Sequence, residues 1–135
     1  MENGRFNMGF CREMPVKKTR VLFLSYNGLL EPLLYSQGIT YLKELTKKLE
    51  LEIVVLSFEK TGFFTSSEQR QIIINLKEEL ERHNIYWYFL KYHKSPAILS
   101  SVYDILLGII FSGVLLIKKK ITFIHARSYV PAVIA

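Results

Sequence analysis

Four apolar runs in this sequence each end in a short polar stretch, and those stretches hold most of the side chains capable of chemistry. They are Ser25-Tyr26-Asn27-Gly28, Ser57-Phe58-Glu59-Lys60, Lys91-Tyr92-His93-Lys94 and His125-Ala126-Arg127-Ser128. In a parallel sheet, ligands sit outside the carboxyl ends of the strands, so Lys60, Lys91, His93, Lys94, His125 and Arg127 would converge on one rim, with Glu59 and Glu31 as the acidic minority. Such a rim is electropositive and suits a phosphate-bearing ligand, arginine offering a fork of donors and lysine a point charge. The competing account is that strand ends are where loops and solvated charges belong. The convergence weighs more than any one member.

Within that rim, His125 is the candidate catalytic side chain, because it ends an apolar strand at the expected cleft. Its alternative is a hydrogen-bonded structural histidine. The three histidines lie far apart and the single cysteine, Cys11, sits near the N-terminus, so no metal-ligand spacing is evident, and no nucleophile and base pair is marked. Gly28 and Gly38 flank a long loop without a G-x-G-x-x-G pattern, which weakens a nicotinamide-dinucleotide reading; Glu59 is the one match to a ribose-binding acid.

The elements that position these residues follow from periodicity. "RVLFLSYNG" and "LEIVVLSF" are apolar on both faces, as buried strands are; "IYWYFLKY" and "ITFIHA" are a third and a fourth strand. Between the first two, Ile39, Leu42, Leu45 and Leu49 share a helical face behind an N-cap at Ser36. Thr65 and Glu68 have capping-box spacing before the stripe Ile72, Ile73, Leu76 and Leu80, and His83-Asn84 ends that helix. A third helix starts at Ser95-Pro96 and runs to about Lys118. Alternation of this kind predicts an α/β fold: a partial Rossmann-like, doubly wound parallel sheet of about four strands with flanking helices.

At 135 residues with half of them hydrophobic and 13% aromatic, the chain supports one core and is not disordered. Residues 1–19 read as a loosely ordered basic leader, carrying Arg5, Arg12, Lys17 and Lys18 but no continuous apolar stretch of the secretory kind, and residues 20–135 as the folded part. The lone cysteine excludes an internal disulfide and fits the cytoplasm. A net charge of +6 favours anionic partners. The run "ILLGIIFSGVLLI" before Lys118, Lys119 and Lys120 is thirteen residues long and preceded by Asp104, short of the roughly 20 residues a span needs, so it reads as a buried crossover helix. That helix or the leader is also a candidate for peripheral contact with an anionic membrane surface.

The stretch "RVLFLSYNGLLEPLLYSQGITYLKELTKKLELEIVVLSFEK" resembles the opening of family-4 glycosyltransferases of the GT-B fold, with Glu31-Pro32-Leu33 and Ser36-Gln37 in the loop after the first strand. "WYFLKYHKSPAILSSVYDILLGI" and "IHARSYVPAVIA" look like the same subgroup's third strand, following helix and fourth strand. The resemblance implies the first two-thirds of an N-terminal, acceptor-side domain, truncated, from a retaining enzyme that moves a sugar from a nucleotide-sugar donor to a carbohydrate or lipid-linked acceptor, without a metal or other cofactor. The fragment is expected to be inactive alone. It implies that Asn27, Gly28, Ser36 and Gln37 face the cleft together with His125, Arg127 and Ser128; His93 joins them as a strand-end residue. Where many relatives carry H-x-H, this chain has His125-Ala126-Arg127. The other readings are a non-catalytic anion-binding or membrane-surface module and a nicotinamide-binding half-domain; nucleic acid is not an expected partner.

Overall fold

A computed structural model describes residues 18–60, 66–93 and 97–127. Strand β1 (Arg20–Ser25), helix α1 (Ile39–Leu49), strand β2 (Glu52–Lys60), helix α2 (Ser67–Arg82), strand β3 (Ile85–Tyr92), helix α3 (Ala97–Lys119) and strand β4 (Phe123–Arg127) follow one another. The strands pair in parallel in the order β3-β2-β1-β4. The fold is therefore α/β and Rossmann-like. Two crossovers step from β1 to β2 to β3 with α1 and α2 on one face; the third returns past β1 with α3 on the other face. Reversing both direction and face keeps one hand of crossover.

Burial on both faces explains why β1 and β2 lack alternation. Phe23, Ile53, Val55, Ile85 and Trp87 point to the core shared with Leu42, Leu76 and Leu80 of α1 and α2. Leu22, Leu24, Val54, Leu56 and Phe58 point the other way, onto Leu115 of α3. Glu50, Asn84 and Lys120 adopt left-handed backbone where helices give way to strands, the usual device for stopping a helix.

Three expectations change. First, Ser36 caps nothing. Pro32 already sits in helical conformation, the Tyr35 N–H donates to the Glu31 carbonyl at 2.8 Å, and Leu34–Gly38 form a π-helical turn continuous with α1. Proline is pre-organised for a first turn, so the helix begins near Pro32 and Ser36 donates back to the Pro32 carbonyl at 2.8 Å. Second, Ser66 is the cap of α2, accepting from the Gln69 N–H at 3.2 Å; Thr65 and the Ser95-Pro96 start of α3 lie outside the described residues. Third, α3 crosses the sheet but is not a buried helix. Ser100, Asp104 and Ser112 are buried against the sheet beside Leu115, while Leu99, Val102, Tyr103, Leu106, Ile110 and Ile117 are exposed. Three of its polar side chains thus face the sheet, while an apolar stripe faces outward. Most of the leader lies outside the described residues, but the Thr19 carbonyl accepts from the Glu52 N–H at 3.0 Å, so the sheet's hydrogen bonding begins one residue before β1.

Candidate functional site

Strand order reverses at β1, which lies between β2 and β4, so the loop leaving β1 opens at the topological switch point. There Tyr26, Asn27, Gly28, Glu31, Phe58, Lys60 and Tyr92 line a cleft of about 180 Å³. The sequence-predicted residues Asn27 and Gly28 are thus part of one concavity. Tyr26 is wedged between the Phe58 and Tyr92 rings, at 5.3 and 5.4 Å between centroids. Beside these aromatic rings the cleft is lined by Lys60 and Glu31, which form an ion pair at 2.6 Å. Glu31 raises the Lys60 pKa through this contact. The cleft is consequently less electropositive than a count of its cations implies.

Gly28 is needed where it stands. A Cβ there would lie 2.2 Å from Glu59 Oε2 and 2.8 Å from Glu59 Cδ. Glu59 is wholly buried, and its Oε1 accepts from the Leu29 N–H at 2.5 Å and from Ser57 Oγ at 2.7 Å. Ser57 in turn accepts from Trp87 Nε1 at 2.8 Å. The relay Trp87, Ser57, Glu59, Leu29 N–H ties β3 and β2 to the loop after β1. Desolvation by burial pushes the Glu59 pKa up, opposed by the Ser57 and Leu29 hydrogen bonds. The carboxyl that sequence reasoning offered to a ribose is therefore turned inward and holds the loop.

On the α3 face a second polar group gathers. Asp104 is fully buried; its Oδ2 accepts from the His93 N–H at 3.1 Å and its Oδ1 lies 2.9 Å from His93 Nδ1. The His93 side chain is 46% exposed and meets the Tyr103 ring in a T-shaped contact. One helical turn before Asp104, Ser101 hydrogen-bonds the Tyr26 hydroxyl, which also meets that of Tyr92; burial, then the Tyr92 charge, push the Tyr26 pKa up to about 12. Tyr26 and Asp104 thus lie near one another on this face. Sequence reasoning missed Asp104, Tyr26, Tyr92 and Ser101 as a group. The available signal was Asp104 itself, a lone acid in an apolar helix, which burial tolerates only when it is paired.

The other predicted residues do not join this patch. Strand β4 extends through Arg127, so His125 lies within it, opposite Phe23 in register, and stacks on the Phe23 ring at 5.3 Å and 14°. Phe23 belongs to the α1–α2 face, whereas His93 is bound to α3 on the opposite face. Two residues on, Arg127 shares the face of His125, and its Nη1 comes within 3.6 Å of a Cβ built on Gly38, at the end of the π-helical turn. His93 and His125 therefore stand at opposite edges and on opposite faces of the sheet, although all strands point the same way. The expected shared lip is split in two: a return crossover sends β4 to the far edge, and the period of two puts His125 with Phe23. Ser36 lines a separate groove between α1 and α2 with Lys43 and Glu79, and Gln37 is exposed on the π-helical turn. Ser128 and Lys94 lie outside the described residues. Among the described residues no group of histidine, cysteine and carboxylate side chains is arranged to hold a metal ion.

No family model matches the chain, and neither does any curated protein or solved structure.

Proposed function

We propose that the chain is the acceptor-side half-domain of a glycosyltransferase of the GT-B kind, transferring a sugar from a nucleotide-sugar donor to a carbohydrate or lipid-linked acceptor. The observation that carries this reading is the β3-β2-β1-β4 order, which sets the loop bearing Asn27, Gly28 and Glu31 at the switch point, above an aromatic-walled cleft. The motif resemblance, Glu31-Pro32-Leu33 followed by Ser36-Gln37, falls in the same loop and first helical turns. Asn27 and the Tyr26 and Tyr92 rings suit a hydroxyl-rich ligand, since an aromatic wall can cover the apolar face of a sugar ring while an amide bonds its edge. The donor's diphosphate would be held mainly by a second domain. The reading frame that carries this chain tests the proposal. A continuation into a second strand-helix series with an E-x7-E stretch, and release of nucleoside diphosphate that depends on added acceptor, are the expected results. An unrelated continuation would overturn it.

A second reading, contact with an anionic membrane surface, is favoured by α3. From Leu99 to Lys119 this helix is long and apolar enough to cross a membrane by length and composition. Its inward face is bound to the sheet through Asp104, which favours lying against the bilayer over crossing it. Leu106, Ile110 and Ile117 would enter the interface, with Lys118 and Lys120, both exposed, at one end. Flotation with vesicles containing phosphatidylserine decides the matter. Replacing both lysines by glutamine should weaken partition roughly 30-fold at about 1 kcal/mol per lysine; equal recovery with neutral vesicles would refute it.

A further inference from the structure

We propose that a proton on Glu59 latches the loop from Asn27 to Glu31, so that the wall of the switch-point cleft is seated while this carboxyl is neutral and loosens once it ionises. The two oxygens of Glu59 are held unequally. Oε1 accepts from the Leu29 N–H at 2.5 Å and from Ser57 Oγ at 2.7 Å, whereas Oε2 is buried with no hydrogen-bond partner among the described residues. With Oε1 already accepting twice, the proton belongs on Oε2. A neutral carboxyl leaves one hydroxyl unmatched there; a carboxylate leaves part of a full charge without a partner, which burial penalises far more heavily.

The loop is packed against that bare oxygen. A Cβ built on Gly28 would lie 2.2 Å from Oε2, so the Gly28 main chain stands beside it. The other neighbours, Ser57 and Trp87, belong to β2 and β3 and are fixed by paired strands, which leaves the loop as the part that can give way and admit water to a carboxylate. Asn27, Gly28 and Glu31 all line the cleft, so displacing Gly28 changes the cleft's shape.

The surrounding charges do not cancel this penalty. Glu31, in the loop, adds a like charge that disfavours ionisation. Lys60 follows Glu59 but is paired with Glu31 at 2.6 Å, and Lys91 lies beside Glu59 in register on β3. Burial holds the carboxyl above its ordinary value of 4.5, against hydrogen bonds from Ser57, Leu29 and Leu30 that act to lower it. The seated loop is therefore fully stabilised below 4.5, and that stabilisation is lost as pH rises through the folded value. The latch acts whatever ligand the cleft takes.

Amide exchange in the wild-type chain, expressed as protection relative to unstructured peptides, tests it without a ligand. Protection of the Leu29 N–H should fall roughly tenfold per pH unit above 4.5 and level off once the carboxyl has titrated, as followed by the carbon-13 resonance of Glu59. The Glu31 N–H, which donates to the Gly28 carbonyl at 3.1 Å, should lose protection with it. Both should exchange faster than Val54 and Val55 of β2 throughout, as a local opening requires. Exchange of all four amides at one rate would mean that only global unfolding exposes the loop, and would overturn the proposal; so would loss of protection at Leu29 but not at Glu31. In Glu59→Gln, which keeps an oxygen for the Leu29 N–H and cannot ionise, protection should not depend on pH, and a fall equal to that of wild type would refute the latch. A wild-type carboxyl that titrates at or below 4.5 refutes it too, whether or not the variant folds.

Discussion

Replacing Gly28 with alanine puts a methyl group 2.2 Å from Glu59 Oε2, about 1 Å inside normal van der Waals contact. The end of a glutamate side chain usually swings aside at little cost. Here it cannot, because Glu59 is fully buried and Oε1 is held by the Leu29 N–H at 2.5 Å and by Ser57 Oγ at 2.7 Å. Making room breaks one or both bonds inside the protein. Since a buried donor or acceptor left unmade costs about 1–3 kcal/mol, the expected loss for Gly28→Ala is about 2–4 kcal/mol. Urea unfolding followed by the fluorescence of Trp87 measures it; this is the single tryptophan, it is buried, and it donates to Ser57 in the same relay. The cause is isolated by repeating the substitution in a Glu59→Ala background, where the obstructing carboxyl is gone. There the extra loss should fall below about 1 kcal/mol, giving a coupling typical of residues in contact. If Gly28→Ala costs the same in both backgrounds, the clash with Glu59 is not why glycine is required.

Three further outcomes follow from the same structure. Burial raises the Glu59 pKa, so the folded chain holds that proton more tightly than the unfolded chain: its stabilising contribution is complete below the ordinary value of 4.5 and is lost as pH rises through the folded value. Unfolding midpoints of wild type should accordingly fall relative to Glu59→Gln as pH is raised from about 4 to 7, and parallel curves would contradict this. Leu80 is completely buried in the core beside α1 and α2, and Leu80→Ala should cost about 2–5 kcal/mol in the same urea assay. Leu106 and Ile110, at 54% and 60% exposure, should each tolerate serine within about 0.5 kcal/mol; a much larger loss would mean that α3 packs by its outer face.

The main architecture was legible because it depends on local pattern. The both-face apolar runs of β1 and β2 and the stripe Ile73, Leu76 and Leu80 required strands and helices in alternation, and a parallel sheet followed. Asn27 and Gly28 could be placed at the rim for the same reason: they follow a strand, and all carboxyl ends lie at one edge. The helix start was misplaced because Pro32 and a serine four residues later are both plausible signals, and only backbone hydrogen bonding distinguishes them. The orientation of α3 was hidden because its composition is apolar overall. Which stripe meets the sheet was decided by the Asp104 contacts to His93.

What the sequence determined by itself was the succession of elements, the parallel sheet they form and the set of polar residues at its carboxyl edge, since these follow from residue spacing along the chain. Only the tertiary structure decided which of those residues are neighbours. A crossover over the opposite face carries β4 to the far side of β1, so His125 and Arg127 part from His93, while Asp104, eleven residues beyond His93, folds back to meet it. Such proximities depend on where a crossover lands and which helical face it turns inward, and neither is written in local periodicity.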